Sequence, residues 1–294
     1  MSTMASRKIN TVESIWESLP ELEHVSRESL DVSLKPWEEL VSCCIEAGAL
    51  APMVPSSKNG DPRLITAAPF LKCTLDDLRG VWILVERGYT SQAAAVAAAM
   101  FENALTAAVV AGSKELAIQA QKGKHAQIPW GAKELCQLDA KREMRLAEER
   151  GEKQTPKMYE DNWTIGYFHY KWLCQVKHPT WQAAIHAIQS TVVADREYAV
   201  RPGPNNLPQD IQVKARVLAV SLTKALQAIK SFFITLDGDE KSDEYQAFEE
   251  KVSKVHFGVA DLIKLQYGKP SPIQVLDRSF IKTDFSTLRE KYGD

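Results

Sequence analysis

Glycine is scarce in this chain, 14 among 294 residues, and none falls in a GxxxxGK[ST] phosphate loop, a GxGxxG dinucleotide turn or a GxSxG nucleophile elbow. Those absences remove the sequence signatures of P-loop NTPases, Rossmann enzymes and α/β-hydrolases. No HExxH or CxxC pair occurs either, so no metal site and no cofactor is expected. Basic charge is not in excess. Lys and Arg number 36 against 38 Asp and Glu, a net charge of −2 and a pI near 6.3. The usual electrostatic case for nucleic-acid binding is therefore missing, although a local basic patch is compatible with the total. The five cysteines are odd in number and follow no pattern, which argues against a disulfide framework and for a reducing, cytoplasmic setting. No apolar run follows the early charges of MSTMASRKINTVESIWESL, so no signal peptide is read there. The alanine-rich run 93–111 is the longest candidate for a membrane span. Glu102 and Asn103 interrupt it, and it reads as a buried helix of a protein with no membrane partner.

What the chain does contain is helical periodicity. Apolar residues make up 45% of it, enough for a core, and strand signals are few. The spacing predicts an all-α fold, a multi-helix bundle with long antiparallel helices and a small N-terminal helical appendage. Val12, Ile15, Trp16 and Leu19 share a face of one short helix, and Pro36 opens another in first-turn position. Pro52, Pro55, Pro62 and Pro69 with Ser, Asn and Gly between them mark a linker over 51–69. The expected division is therefore an appendage over 1–50, a linker over 51–69, a bundle over 70–268 and a tail over 269–294. Inside the bundle, Gly88 reads as a left-handed helix end, Thr90 or Ser91 as a helix start, and Ser113 and Ser242 as N-caps. The helix over 132–153 carries both charge signs around a thin stripe of Leu135, Leu138 and Leu146, the pattern of a solvated helix. The acidic turn 237–243 lacks the ligand order of a calcium loop.

Chemistry-bearing side chains concentrate over 166–188, GYFHYKWLCQVKHPTWQAAIHAI, which holds three of the six histidines. Pro179 breaks the helical pattern and places His178 near a helix C-terminus. His178 reads either as a cap on a free carbonyl or as a site histidine, with His169, Lys177 and Lys171 assisting. On a straight helix His169 and His178 lie roughly 13 Å apart along the axis, too far to share one metal. Glu102, mid-helix among apolar residues, reads as a buried carboxylate that needs a partner. It is either a bridge fixing helix register or a catalytic or metal-binding acid.

Two segments carry a resemblance. Glu86, Arg87, Gly88 and Tyr89 followed by Phe101 and Glu102, and then Tyr170, Lys171, Leu173, Cys174, His178 and Pro179, resemble a bacterial all-helical family of unknown function in which an ERGY…FE helix precedes a Y-K/R-x-L-C-x-x-x-H-P segment. The later segment is similar to the active helix of HEPN-type domains, bundles that often dimerise and cleave RNA with an arginine and a histidine separated by four to six residues. Counting back from His178, those spacings reach Leu173, Trp172 and Lys171, and no arginine stands there. The resemblance with that departure implies a binding or regulatory subunit. The sequence therefore points to a cytoplasmic helical interaction or regulatory protein that forms a homo-oligomer or meets a protein partner. The competing expectation is a HEPN-like enzyme acting on RNA or a nucleotide through His178, with His169, Lys177 and Glu102 as further site residues.

Overall fold

The computed structural model describes residues 12–122, 127–177, 192–193, 197–198 and 202–267. Among them the chain forms α1 (Val12–Leu50), a 3₁₀ turn (Ala51–Met53), α2 (Pro62–Glu86), α3 (Thr90–Gly112), α4 (Lys114–Gln121), α5 (Ala132–Glu149) and α6 (Pro156–Lys177). A two-residue antiparallel pairing of β1 (Val192–Val193) with β2 (Glu197–Tyr198) follows, then α7 (Pro208–Leu236) and α8 (Asp243–Tyr267). The all-α multi-helix bundle expected from the periodicity is the fold found.

The core is built around α3. Ala93, Ala94, Ala97, Ala98, Ala104, Ala107 and Ala111 are buried along it, with Met100, Phe101 and Leu105 as the larger contacts. Small side chains bring neighbouring backbones close, and α3 packs against α2, α7, α6 and α5. Helix α7 is the second core element, burying Val217, Leu218, Leu222, Ala225, Leu226 and Ile229. α3 and α7 both contain an 18-residue window apolar enough to cross a membrane. Those windows are 72% and 67% buried inside the bundle, as expected for core helices.

The N-terminal region departs from the sequence expectation. Residues 12–50 form one 39-residue helix that runs through Pro20 and Pro36, not a short appendage. Its inward stripe of Leu30, Leu34, Trp37, Leu40, Val41, Cys44 and Ala47 passes without a break across Pro36 and joins the common core. An interior proline costs about 3 kcal/mol. Each large side chain of the stripe returns about 1.5–3 kcal/mol on burial, so the stripe outweighs the lost backbone bond. The expected linker 51–69 is likewise only partly a loop. Asp61 accepts a hydrogen bond from Arg63 N–H at 2.8 Å and caps α2, and Pro62 takes its first position. Residues 62–69 thus form the first two turns of α2, with Pro69 inside the helix.

The helix ends at 88, 113 and 242 follow their sequence signals. Gly88 has φ +87°. Its N–H bonds the Val85 carbonyl, and Tyr89 N–H bonds Leu84, the pair of contacts that closes a Schellman cap. Ser113 accepts from Leu116 N–H at 3.3 Å, and Ser242 from Tyr245 N–H at 3.1 Å. Thr90 differs. It is the first residue of α3 and makes no cap, because its hydroxyl donates to the buried Asp210 carboxylate at 2.5 Å.

The ERGY turn docks on α1 and on the loop 202–207. Arg87 and Tyr89 both reach Glu23, the latter at 2.8 Å. Ser26 donates to Asn206 Oδ1 at 2.5 Å, and Asn205 N–H donates to the Gly88 carbonyl at 2.9 Å. A methyl on Gly88 would lie 2.5 Å from Pro204 Cβ and 2.7 Å from Ser26 Oγ. Gly88→Ala is therefore expected to destabilise the fold by about 1–3 kcal/mol, through left-handed strain and this close approach. A urea midpoint unchanged from wild type would contradict that.

Candidate functional site

Helix α6 carries most of the side chains singled out by the sequence. Thr155 starts it, its hydroxyl accepting from Met158 N–H at 3.3 Å, and Pro156 takes the first helical position. Phe168, Trp172, Leu173 and Cys174 are buried along its inner face. Gly166 faces Cys136 of α5 and Lys224 of α7. A methyl there would sit 3.4 Å from Cys136 Sγ and 4.0 Å from Lys224 Nζ.

His169 projects into this junction beside two cations of α7. Burial, then the charges of Lys224 and Arg216, push its imidazole down to about 3. It is therefore neutral at physiological pH and a poor proton donor there. The Arg216 guanidinium stacks 4.1 Å from the Trp172 ring centroid, and Lys224 Nζ lies 5.2 Å from that of Phe101.

A polar relay leads away from Lys224. Its ammonium donates to Gln227 Oε1 at 2.8 Å, and Gln227 Nε2 donates to Asp139 Oδ2 at 2.6 Å. Asp139 Oδ1 accepts from Arg142 at 3.1 Å, and Arg142 also reaches Glu143. Lys224, Asp139 and Arg142 are all buried. Asp139 thus serves Lys224 through an amide and Arg142 directly, one carboxylate facing two cations. This arrangement corrects the picture of α5 as a solvated helix. Its inner face buries Asp139 and Arg142 beside Leu135 and Cys136. Asp139, Arg142, Arg216, Lys224 and Gln227 are the site residues that sequence reasoning missed. Their signal was spacing: Asp139 and Arg142 stand three apart, as do Lys224 and Gln227 in an otherwise apolar run.

Glu102 is exposed, not buried as expected. Phe101, Ala104, Leu105 and Ala108 face the core, and residue 102 falls one step round the helix at its outer edge. Its partner is a phenol and not a cation: Tyr170 O–H donates to Glu102 Oε1 at 2.5 Å. Burial, then this bond, pushes the Tyr170 hydroxyl well above its usual range. Tyr170 also stands 5.7 Å from the Phe101 ring. The pair therefore joins α3 to α6 at the edge of the relay.

Lys177 is half-buried as the last residue of α6, two turns beyond His169. Lys171 is half-buried mid-helix. His178 and His186 lie outside the described residues. The structure thus places His169 with Arg216 and Lys224, and Glu102 with Tyr170. Comparison with family models, with curated proteins and with solved structures finds no match to this chain.

Proposed function

We propose that this chain is a helical interaction or regulatory protein that works as a homodimer in a reducing, cytoplasmic setting. One observation carries the reading. The first turns of α1 present an exposed tryptophan beside a half-buried apolar stripe. Leu22 is still covered, 4.0 Å from the position a methyl on Gly203 would take, and Ser26 is tied to Asn206. Two turns earlier Trp16 is 78% exposed, with Ile15 and Leu19 half-buried beside it. Ile15, Leu19, Leu22 and Ser26 recur at the three-to-four spacing by which one helix seats against another. A second copy presents the same seam, so a two-fold pairing satisfies both chains at once. A solvent-facing tryptophan is also the residue type most often found at the energetic centre of an interface.

Other features agree with the setting. All five cysteines are free thiols. Burial pushes Cys44 and Cys136 up to about 12, which leaves both unreactive near neutral pH.

Native mass spectrometry and light scattering test the reading. Wild type is expected as a dimer at micromolar concentration and Trp16→Ala as a monomer with unchanged helical content. A wild-type monomer would overturn it. The presence of Arg216 and Lys224 beside α6 favours a second reading, a HEPN-like enzyme acting on RNA or a nucleotide through His178. Hydrolysis of single-stranded RNA or of a nucleotide, lost in His178→Ala, would move the assignment there.

A further inference from the structure

We propose that the groove between α5, α7 and α8 is a binding site for a small amphipathic anion, an apolar body bearing one carboxylate or phosphate. The groove encloses about 470 Å³ and is lined from α5 by Arg142, Glu143 and Leu146 and from its C-cap by Arg150, from α7 by Leu222, Leu226 and Lys230, and from α8 by His256 and Val259. That volume falls in the range of small-ligand pockets, roughly 300–1,000 Å³.

Its charge is one-sided. Its lining carries three cations, Arg142, Arg150 and Lys230, and one carboxylate, Glu143, while Asp139 outside the lining also pairs with Arg142. Arg150 is held by Glu152 at the outer end. Lys230 makes no hydrogen bond and no ion pair among the described residues. Burial lowers its pKa, and Glu143 only partly opposes the shift. His256 is lowered too, first by burial and then by the charge of Lys230.

The second observation is Arg142 itself. Its side chain is 7% exposed. Two of its contacts hold Asp139 and Glu143, and its Nε–H is buried without an acceptor. A buried donor left unmet is costly and is a natural place for an anion to bind. The room for this side chain comes from Gly112, where a methyl would lie 2.7 Å from Arg142 Cδ. The cation at the floor of the groove also chooses between ligand classes. A partner helix laid across the rim would meet Arg150, whereas only a slender ligand inserted between the helices reaches Arg142. The apolar wall of Leu146, Leu222 and Val259 then covers its body.

Isothermal titration of the full chain with dodecanoate, below its micelle concentration, tests this site. One saturable site is expected, weakening as salt rises. Lys230→Glu is expected to weaken binding at least tenfold. Thr223→Phe, a change at an exposed groove position, should do the same by filling the space. Both variants should keep the wild-type far-UV spectrum. Dodecyl phosphate in place of dodecanoate distinguishes a phosphate headgroup from a carboxylate, and tight binding of either supports the site. Dodecanol binding as tightly as dodecanoate would overturn it, as would inorganic phosphate alone matching dodecyl phosphate. So would full affinity in both variants, no saturable binding, or an acidic helical peptide binding where neither amphiphile does.

Discussion

Lys214→Met is expected to destabilise the protein by about 3–5 kcal/mol, the cost of leaving a buried charge without its partner. Lys214 and Asp210 stand four apart on the first turns of α7, and neither side chain is exposed at all. Lys214 also donates to the Asn205 carbonyl at 2.7 Å. The Asp210 oxygen that meets the ammonium takes the Thr90 hydroxyl as well. One ion pair therefore joins the start of α7, the start of α3 and the loop 202–207. Without the lysine, Asp210 keeps the Thr90 hydroxyl but loses the cation that offsets its desolvation. Asp210→Leu is expected to cost less than Lys214→Met. Burial already lowers the Lys214 pKa, so the lysine can shed its proton when the carboxylate is gone. Combining the two changes should recover part of the loss, since a buried pair carries its own desolvation cost. Urea denaturation at neutral pH measures all three, and a Lys214→Met loss below about 1 kcal/mol would show that water reaches the pair.

Acid should weaken the fold well before its carboxylates titrate, and His169 should be the main cause. Its imidazole is held near 3 in the folded chain, against 6.5 for the free side chain. Between those values the unfolded chain binds a proton that the folded chain refuses. Stability is therefore full above about pH 6.5 and falls by about 1.4 kcal/mol for each unit below it, ending near the folded value. From pH 7.5 to 4.5 the loss assigned to His169 is about 2–3 kcal/mol. His256 shifts in the same direction and adds a smaller share. His169→Gln is expected to flatten this limb while keeping neutral-pH stability within about 1–2 kcal/mol. Equal acid sensitivity in wild type and His169→Gln, read from urea midpoints at the two pH values, would remove His169 as the cause.

The sequence exposed the helices better than the site. Periodic apolar spacing pointed to the multi-helix bundle and the buried α3, because a buried stripe repeats every three to four residues wherever a helix meets a core. It failed at proline. Pro36 and Pro62 both read as helix starts or breaks, yet one lies inside α1 and the other begins α2 in what looked like a linker. A local rule cannot see the tertiary burial that outweighs it. The site suffered from the opposite error. Glu102 looked buried because its sequence neighbours are apolar, whereas a helix rotates each residue 100° from the last and puts this one at the edge. Asp139, Arg142 and Lys224 looked like ordinary surface charges on amphipathic helices. Only the packing of α5 on α3 and α6, with Gln227 of α7 reaching Asp139, turns them into a buried relay, and no single-helix pattern records it.

The pairing of α1 with α8 sets the order in which this molecule can be completed. Glu39 meets Lys254 and Glu46 meets Lys251, contacts 215 and 205 residues apart in the chain, while Leu40 packs at Gly258. α1 and α8 lie far apart in the chain, and although α2 and α7 also pack on α1, one side of its stripe stays uncovered until α8 arrives. Until then that side is open to any other hydrophobic surface. High contact order of this kind slows folding and lengthens exposure to aggregation. Loss of α8 would therefore uncover the α1 stripe along the side marked by Leu40 and the two ion pairs.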